Sequence, residues 1–347
     1  MSGHGIKINI SDFLSKKEKI PIIDVRSPGE FHYGHIPGAV NIPLFNDEER
    51  AIVGTTYKNH GRPKAILKGL ELSGTSMASK LKSALDIAAE GKLLVHCWRG
   101  GMRSEAMAWL FSLGDIETEI LEGGYKAYRN HILEKLSGKY NYIILGGLTG
   151  SGKTEILRIL KSKGHQVIDL EGISNHRGSA FGSLGQDSQP TSEHFANLLY
   201  DELERMNPGK PVWLEDESKN IGSVFMPDGF YENMQKSPVI AVMMDINDRM
   251  PRLLREYASY PADELKASVM KISKRLGGVN TSKCIDSIDS GDLSKAIEIT
   301  LEYYDKSYLH GLKRRSEMNI RYLNPESDDA ERNAAAALEL CRKIQGP

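Results

Sequence analysis

Short β-branched runs alternate with amphipathic stretches over the first third of the chain. Ile20–Val25 and Lys92–His96 read as strands, while Ser104–Phe111 and Gly124–Leu136 place apolar residues at helical spacing. That alternation predicts an α/β architecture. Ser137 and Gly138 then offer a helix stop before a new apolar run, Tyr142–Leu145, which puts a domain boundary between residues 136 and 141. Two domains are expected, 1–137 and 138–347. In the second, strands are predicted at Gln166–Leu170, Pro211–Leu214, Val239–Met244 and Asn319–Leu323. Helices are predicted at Lys153–Lys163, Glu193–Met206, Asn247–Tyr257 and Leu293–Tyr308, with an Ala-rich terminal helix at Asn333–Ile344. This order predicts a parallel sheet with helices on both faces.

Composition narrows the classes. The 347 residues include 45 Lys and Arg against 46 Asp and Glu, a balance that argues against a polyanion-coating protein. With 40% hydrophobic and 26% charged residues, each half can bury its own core, and disorder and fibrous repeats are excluded. The most apolar stretches, Val239–Met244 and Tyr142–Gly147, fall far short of the roughly 18 to 20 residues a membrane span needs. No apolar leader opens the chain, so a cytoplasmic location is expected. Three scattered cysteines, Cys97, Cys284 and Cys341, exclude a disulfide framework or a Cys-rich zinc site.

The strongest motif follows the run at Tyr142. Gly147-Leu148-Thr149-Gly150-Ser151-Gly152-Lys153-Thr154 satisfies G-x-x-x-x-G-K-[ST] between a predicted strand and a predicted helix. Glycines let backbone N–H groups point inward, the helix N-terminus adds positive potential, Lys153 reaches outer phosphates, and Thr154 can ligate Mg²⁺. Such a cradle recognises a diphosphate, not necessarily a nucleotide. Glu215 and Asp216 end a predicted strand, where they could hold the water shell of Mg²⁺ or form an acidic surface loop. Arg249, Arg252 and Arg255 recur at i, i+3, i+6 and could close over phosphates or make a solvated face. Arg177, in His176-Arg177-Gly178-Ser179, is a further candidate phosphate contact or part of a structural turn.

A second anion-binding turn lies earlier. Lys92–His96 runs into Cys97, then Trp98-Arg99-Gly100-Gly101-Met102-Arg103, then a predicted helix. A thiol at such a strand-to-helix turn faces a ring of backbone N–H groups. Those dipoles, with Arg99 and Arg103, are expected to lower its pKa below that of a free thiol, and the ring could hold an oxyanion. Cys284 and Cys341 lack these surroundings and read as packing residues.

Here the residues carry a resemblance. Ile22-Ile23-Asp24-Val25-Arg26-Ser27-Pro28-Gly29-Glu30-Phe31, Gly34-His35-Ile36-Pro37-Gly38-Ala39-Val40-Asn41-Ile42-Pro43, the cysteine loop, and Leu121-Glu122-Gly123-Gly124-Tyr125 resemble the successive signatures of a rhodanese domain over about the first 135 residues. In such domains the cysteine carries sulfur or selenium, and Asp24, Arg26 and the His35–Asn41 turn would be structural. The loop departs from that pattern. Cys97 to Arg103 is C-x-x-x-x-x-R, one residue longer than common rhodanese loops and similar to cell-cycle dual-specificity phosphatases.

A rhodanese-like domain fused to a P-loop NTPase-like domain resembles the tRNA 2-selenouridine synthase family along essentially the whole chain, including the insertion Asn46-Asp47-Glu48-Glu49-Arg50-Ala51 with Val53-Gly54-Thr55. The resemblance implies replacement of sulfur by selenium in wobble 2-thiouridine of tRNA, with selenophosphate as donor and S-geranylation from geranyl diphosphate as activation. Cys97 would carry selenium or attack selenophosphate, and the P-loop would bind geranyl diphosphate, with Mg²⁺ as an optional aid and no tightly bound cofactor. A selenophosphate-supplying enzyme could be a further partner. Lys58–Lys68, Lys271–Arg275 and Lys313–Arg315 are candidate tRNA contacts. The rival reading is a Cys-dependent phosphatase joined to an ATP-using small-molecule kinase.

Overall fold

A computed structural model describes residues 5–345. The first four residues of the stretch read for a leader lie outside them. The residues group into two compact units, one up to Lys135 with Ala196–Leu198, the other Leu136–Phe195 with Leu199 onward.

The first unit is built on five parallel strands, β1 (Ile6–Ile8), β2 (Ile22–Asp24), β3 (Val40–Asn41), β4 (Lys92–His96) and β5 (Glu117–Leu121), in the order β1-β5-β4-β2-β3. Its helices are α1 (Ile10–Lys16), α2 (Pro28–Tyr33), α3 (Asp47–Ser73), α4 (Met77–Ile87), α5 (Met102–Ser112) and α6 (Gly124–Leu136). The period of two along β2 and β4 decides the layers. Ile23, Leu93 and Val95 pack with Met107, Ala108 and Phe111 of α5. His96 of β4 meets Phe13 of α1 and Tyr125 of α6 on the other face. The sequence pattern did not reveal β1, whose three residues are all at least partly exposed, or α3, whose polar surface carries little apolar periodicity. Gly61, at φ 79°, kinks α3 two residues ahead of Pro63.

The second unit holds β6 (Tyr142–Gly147), β7 (Gln166–Ile168), β8 (Val212–Glu215), β11 (Val239–Val242) and β12 (Ile320–Leu323), with a small antiparallel pair, β9 (Asn220–Ile221) and β10 (Val224–Phe225). The five-stranded sheet is parallel, in the order β12-β11-β6-β8-β7. Helices are α7 (Lys153–Ser162), α8 (Leu170–Ser174), α9 (Ser192–Glu204), α10 (Asp228–Lys236), α11 (Ile246–Tyr257), α12 (Ala262–Leu276), α13 (Gly278–Asp289), α14 (Leu293–Leu312) and α15 (Ala330–Gln345). Ile143 and Leu145 of β6 pack with α7 and α15, while Tyr142 meets Phe230 of α10 on the opposite face. All six residues of β6 are buried, as a strand covered on both faces requires. The predicted strand Gln166–Leu170 stops at Ile168 instead, because the Asp169 carboxylate accepts the Gly172 N–H at 2.7 Å and starts α8.

Candidate functional site

In the first unit, Cys97 leaves the end of β4 and the chain turns through Trp98–Gly101 into α5. Two glycine turns make this possible. Gly100 (φ 63°) lies so close to the β5–α6 turn that a Cβ would sit 2.3 Å from the Leu121 carbonyl oxygen. A Cβ on Gly124 (φ 59°) would sit 2.4 Å from the Cys97 carbonyl oxygen. Tyr125 N–H and Lys126 N–H donate to the carbonyls of Cys97 and Trp98 at 2.8 and 3.0 Å, locking the two turns together.

The cysteine is only 4% exposed. Burial alone would push its pKa up, but the Ser104 hydroxyl, the Arg103 charge and the N–H groups of Arg99 and Ser104 together hold it below the usual thiol value. The Ser104 Oγ lies 3.4 Å from Sγ. Arg99 bears on the sulfur through its backbone, and its side chain is exposed. Arg103 is oriented by Glu30, whose carboxylate accepts from Nη1 at 2.6 Å. Trp98 and Met102 are exposed on the turn, and Gly101 caps α5. Sequence reasoning did not assign Ser104 or Glu30; Ser104 had no signal beyond its place in the first turn of the helix.

Beneath the loop, Asp24 and Arg26 form a buried bidentate pair, with Arg26 Nη2 at 2.6 Å from Oδ2 and 2.7 Å from the Gly34 carbonyl oxygen. The guanidinium stacks 3.8 Å over Tyr125. Asn41 Nδ2 donates to the carbonyls of Asp24 and Arg26.

In the second unit, β6 leads through the glycine turn into α7. Gly147, Gly150 and Gly152 all have positive φ, and a Cβ on Gly147 would strike the Val242 carbonyl oxygen at 2.4 Å. Lys153 Nζ donates to the carbonyls of Gly147 and Leu148 at 3.1 and 3.2 Å, arching over the turn. Thr154 Oγ1 lies 3.5 Å from the Glu171 carboxylate, and the Ser151 hydroxyl is buried with no hydrogen-bond partner among the described residues. The loop opens on a cavity of about 1350 Å³ whose walls include Asp169, Glu171, Asp216, Glu217 and Arg177.

The structure sorts the remaining candidates. Glu215 is 1% exposed, accepts the Leu170 N–H at 2.9 Å and is absent from the cavity wall, which corrects its assignment as a Mg²⁺ contact. Burial, with Asp169 and Glu171 nearby, pushes its carboxyl up to about 8. Asp216 does line the cavity, paired with Arg315 at 2.5 Å. Arg249 is corrected as well: it is 3% exposed, grips Asp305 at 2.7 and 2.9 Å and donates to the Thr149 carbonyl, so it buttresses the glycine turn from below. Residues three apart on a helix turn progressively around it, so Arg252 points elsewhere, into the cavity wall and onto Glu155 at 2.8 Å and Asp328. Arg177 lines the cavity and pairs with Glu256. Glu171 and Glu217, which sequence reasoning did not single out, both have raised pKa values, with burial the first cause. Neither belongs to the motif, and only the fold brings them to its mouth.

Among the described residues no helix is long and apolar enough to cross a membrane. No group of three or more His, Cys, Asp and Glu side chains among the described residues is arranged to hold a metal ion by itself.

Comparison with known proteins agrees with this arrangement. Residues 10–131 match the rhodanese-like domain family, and residues 140–326 match the family described as tRNA 2-selenouridine synthase AAA domain. A tRNA 2-selenouridine synthase of Nitrosomonas europaea is 36% identical over 85% of this chain and 90% of its own length. One from a Sulfurovum strain is 36% identical over 88% and 93%, and one from Pseudomonas putida 33% identical over 94% and 96%. With two domain families matched in order and relatives this similar along most of its length, the chain belongs to the tRNA 2-selenouridine synthase family.

Proposed function

We propose that the protein modifies tRNA in the cytoplasm, replacing the sulfur of wobble 2-thiouridine by selenium through a prenylated intermediate. A thiocarbonyl sulfur leaves poorly, whereas its S-alkylated form leaves as a thiol and renders C2 more electrophilic. In the first step the sulfur attacks C1 of geranyl diphosphate. The S–C bond forms as the C–O bond breaks, and the N3 proton is lost to solvent. Pyrophosphate departs against Lys153 and the N–H groups of the glycine turn, donors already in place before charge develops. Mg²⁺ fits the hard oxygen donors at this mouth, with Thr154 Oγ1 and Asp216 to hold it and its water shell, and would supply further charge neutralisation.

In the second step the Cys97 thiolate attacks the phosphorus of selenophosphate, the P–Se bond breaks, and selenide is released. Water returns the cysteinyl phosphate to free cysteine and phosphate. Selenide attacks C2, and geranyl thiol leaves. The seven-residue loop suits a phosphate-sized group better than a bare chalcogen atom. The observation that carries the reading is the placement of Cys97 in that loop, with Ser104 Oγ 3.4 Å from its sulfur and Arg103 held in the same loop by Glu30, in a chain of this family.

Mass spectrometry of tRNA nucleosides tests it. Cys97→Ala should accumulate S-geranyl-2-thiouridine and contain no selenouridine, while Lys153→Ala should contain neither product. Normal selenium content in both variants would refute the proposal, and a strict need for ATP hydrolysis in prenyl transfer would favour the kinase alternative.

A further inference from the structure

The cavity at the glycine turn is not polar throughout. From the turn outward runs a file of apolar side chains, all on its wall. Leu253 of α11 comes first, close enough to Gly150 that a Cβ there would sit 3.0 Å from the leucine side chain. Tyr257 follows one helical turn later, about 6 Å further along the axis. Phe181 stacks on Tyr257 with ring centroids 5.1 Å apart and an interplanar angle of 28°. Ile272 of α12 closes the file and shares a cluster with Phe181.

Two of the phenols on this wall, those of Tyr257 and Tyr304, are engaged by the loop beside them. Tyr304 OH accepts the Ala180 N–H at 2.9 Å, and the Ser179 side chain lies near enough to the hydroxyls of Tyr257 and Tyr304 to act on both. Their hydroxyls thus face the loop that carries Phe181, and what this file presents to the cavity is ring and methyl surface, narrow in the free protein, with Leu253 2% exposed and Phe181 and Ile272 7% each. A nucleoside needs donors and acceptors for its base edge and sugar, and these four residues leave none uncommitted. A hydrocarbon needs only surface complementary in shape and free of polar demand.

We infer that Leu253, Tyr257, Phe181 and Ile272 form the binding site for the hydrocarbon tail of a diphosphate whose head rests on the glycine turn. The inference rests on the prenyl-transfer reading above and adds the residues that select the tail. Leu253 touches the diphosphate end, and Phe181 and Ile272 set the far limit. A ligand of this class is amphiphilic, and one cavity is lined both by the glycine turn and by these apolar side chains.

Titration calorimetry on the full-length protein tests this with geranyl diphosphate, inorganic pyrophosphate and ATP as probes. The wild type should bind geranyl diphosphate at least tenfold more tightly than pyrophosphate. Phe181→Leu and Ile272→Ala should each cut that ratio at least threefold while leaving pyrophosphate affinity unchanged. Phe181→Leu is the mild change and guards against loss of folding in the other. In prenyl-transfer assays the same variants should raise the rate with farnesyl relative to geranyl diphosphate. An unchanged ratio in both variants, with prenyl transfer intact, overturns the tail site alone. ATP gaining its affinity through these residues also overturns it, in favour of a nucleoside site. A wild type that binds both diphosphates equally and forms no prenylated nucleoside overturns the underlying reading.

Discussion

Two acidic groups sit at the C-terminal ends of central parallel strands, Cys97 after β4 and Glu215 at the end of β8. Both are almost fully buried, yet they move in opposite directions. At Cys97 a hydroxyl, two backbone N–H groups and a guanidinium converge on one sulfur and outweigh desolvation. At Glu215 the N–H groups of Leu170 and of Glu215 itself face burial reinforced by the like charges of Asp169 and Glu171, and desolvation wins. Burial alone therefore does not decide the protonation of a group at a strand end; the donors and charges around it do, a hydroxyl and a guanidinium at Cys97 against two like charges at Glu215. The first arrangement favours the thiolate. The second favours the protonated carboxyl beside the cavity of the glycine turn.

The contrast can be broken most severely at its backbone. Gly124→Ala would drive a methyl group into the Cys97 carbonyl at a φ that alanine resists, displacing the donor ring. The expected cost exceeds about 3 kcal/mol, read as a lowered denaturation midpoint. A cysteine that kept its reactivity in this variant would show that the interlocked turns are dispensable.

Ser104→Ala removes one donor and leaves the backbone alone. A hydrogen bond to a charged acceptor contributes about 1.5 to 3 kcal/mol, so alkylation of Cys97 by iodoacetamide at neutral pH should slow about tenfold, and its pH profile should move to higher pH. Rates equal to wild type would mean that the backbone N–H groups suffice.

Glu215→Gln addresses the other side. The native carboxyl titrates near 8 and the unfolded one near 4.5, so between those values the native state binds more protons and wild-type stability falls as pH rises. The slope from this group is at most about 1.4 kcal/mol per pH unit, and it should vanish in the variant. Urea unfolding at a series of pH values from 5 to 8 measures it; parallel curves for the two proteins would place Glu215 in a solvated setting.

Much of this was legible beforehand where chemistry is local. The glycine turn at Gly147–Thr154 and the run from Cys97 to Arg103 are contiguous, and each lies between a strand and a helix whose periodicity can be read directly. The arginines of α11 were less legible. Their spacing suggested a shared task, but the structure puts Arg249 under the loop and Arg252 on its wall, because a helix rotates each away from the last. Glu171 and Glu217 carry no motif and lie 46 residues apart in the chain.

The amino-acid sequence by itself determined the two strand–turn–helix units, their glycines and the residues that can carry charge at each. These depend on neighbours a few positions apart, through backbone dihedrals and hydrophobic period. Tertiary structure alone decided which charges are paired, which are buried and which face the cavity. Desolvation and ion pairing depend on distances through space, and those are set only when β4 meets the β5–α6 turn and when α11, α12 and the loop bearing Phe181 close over the glycine turn.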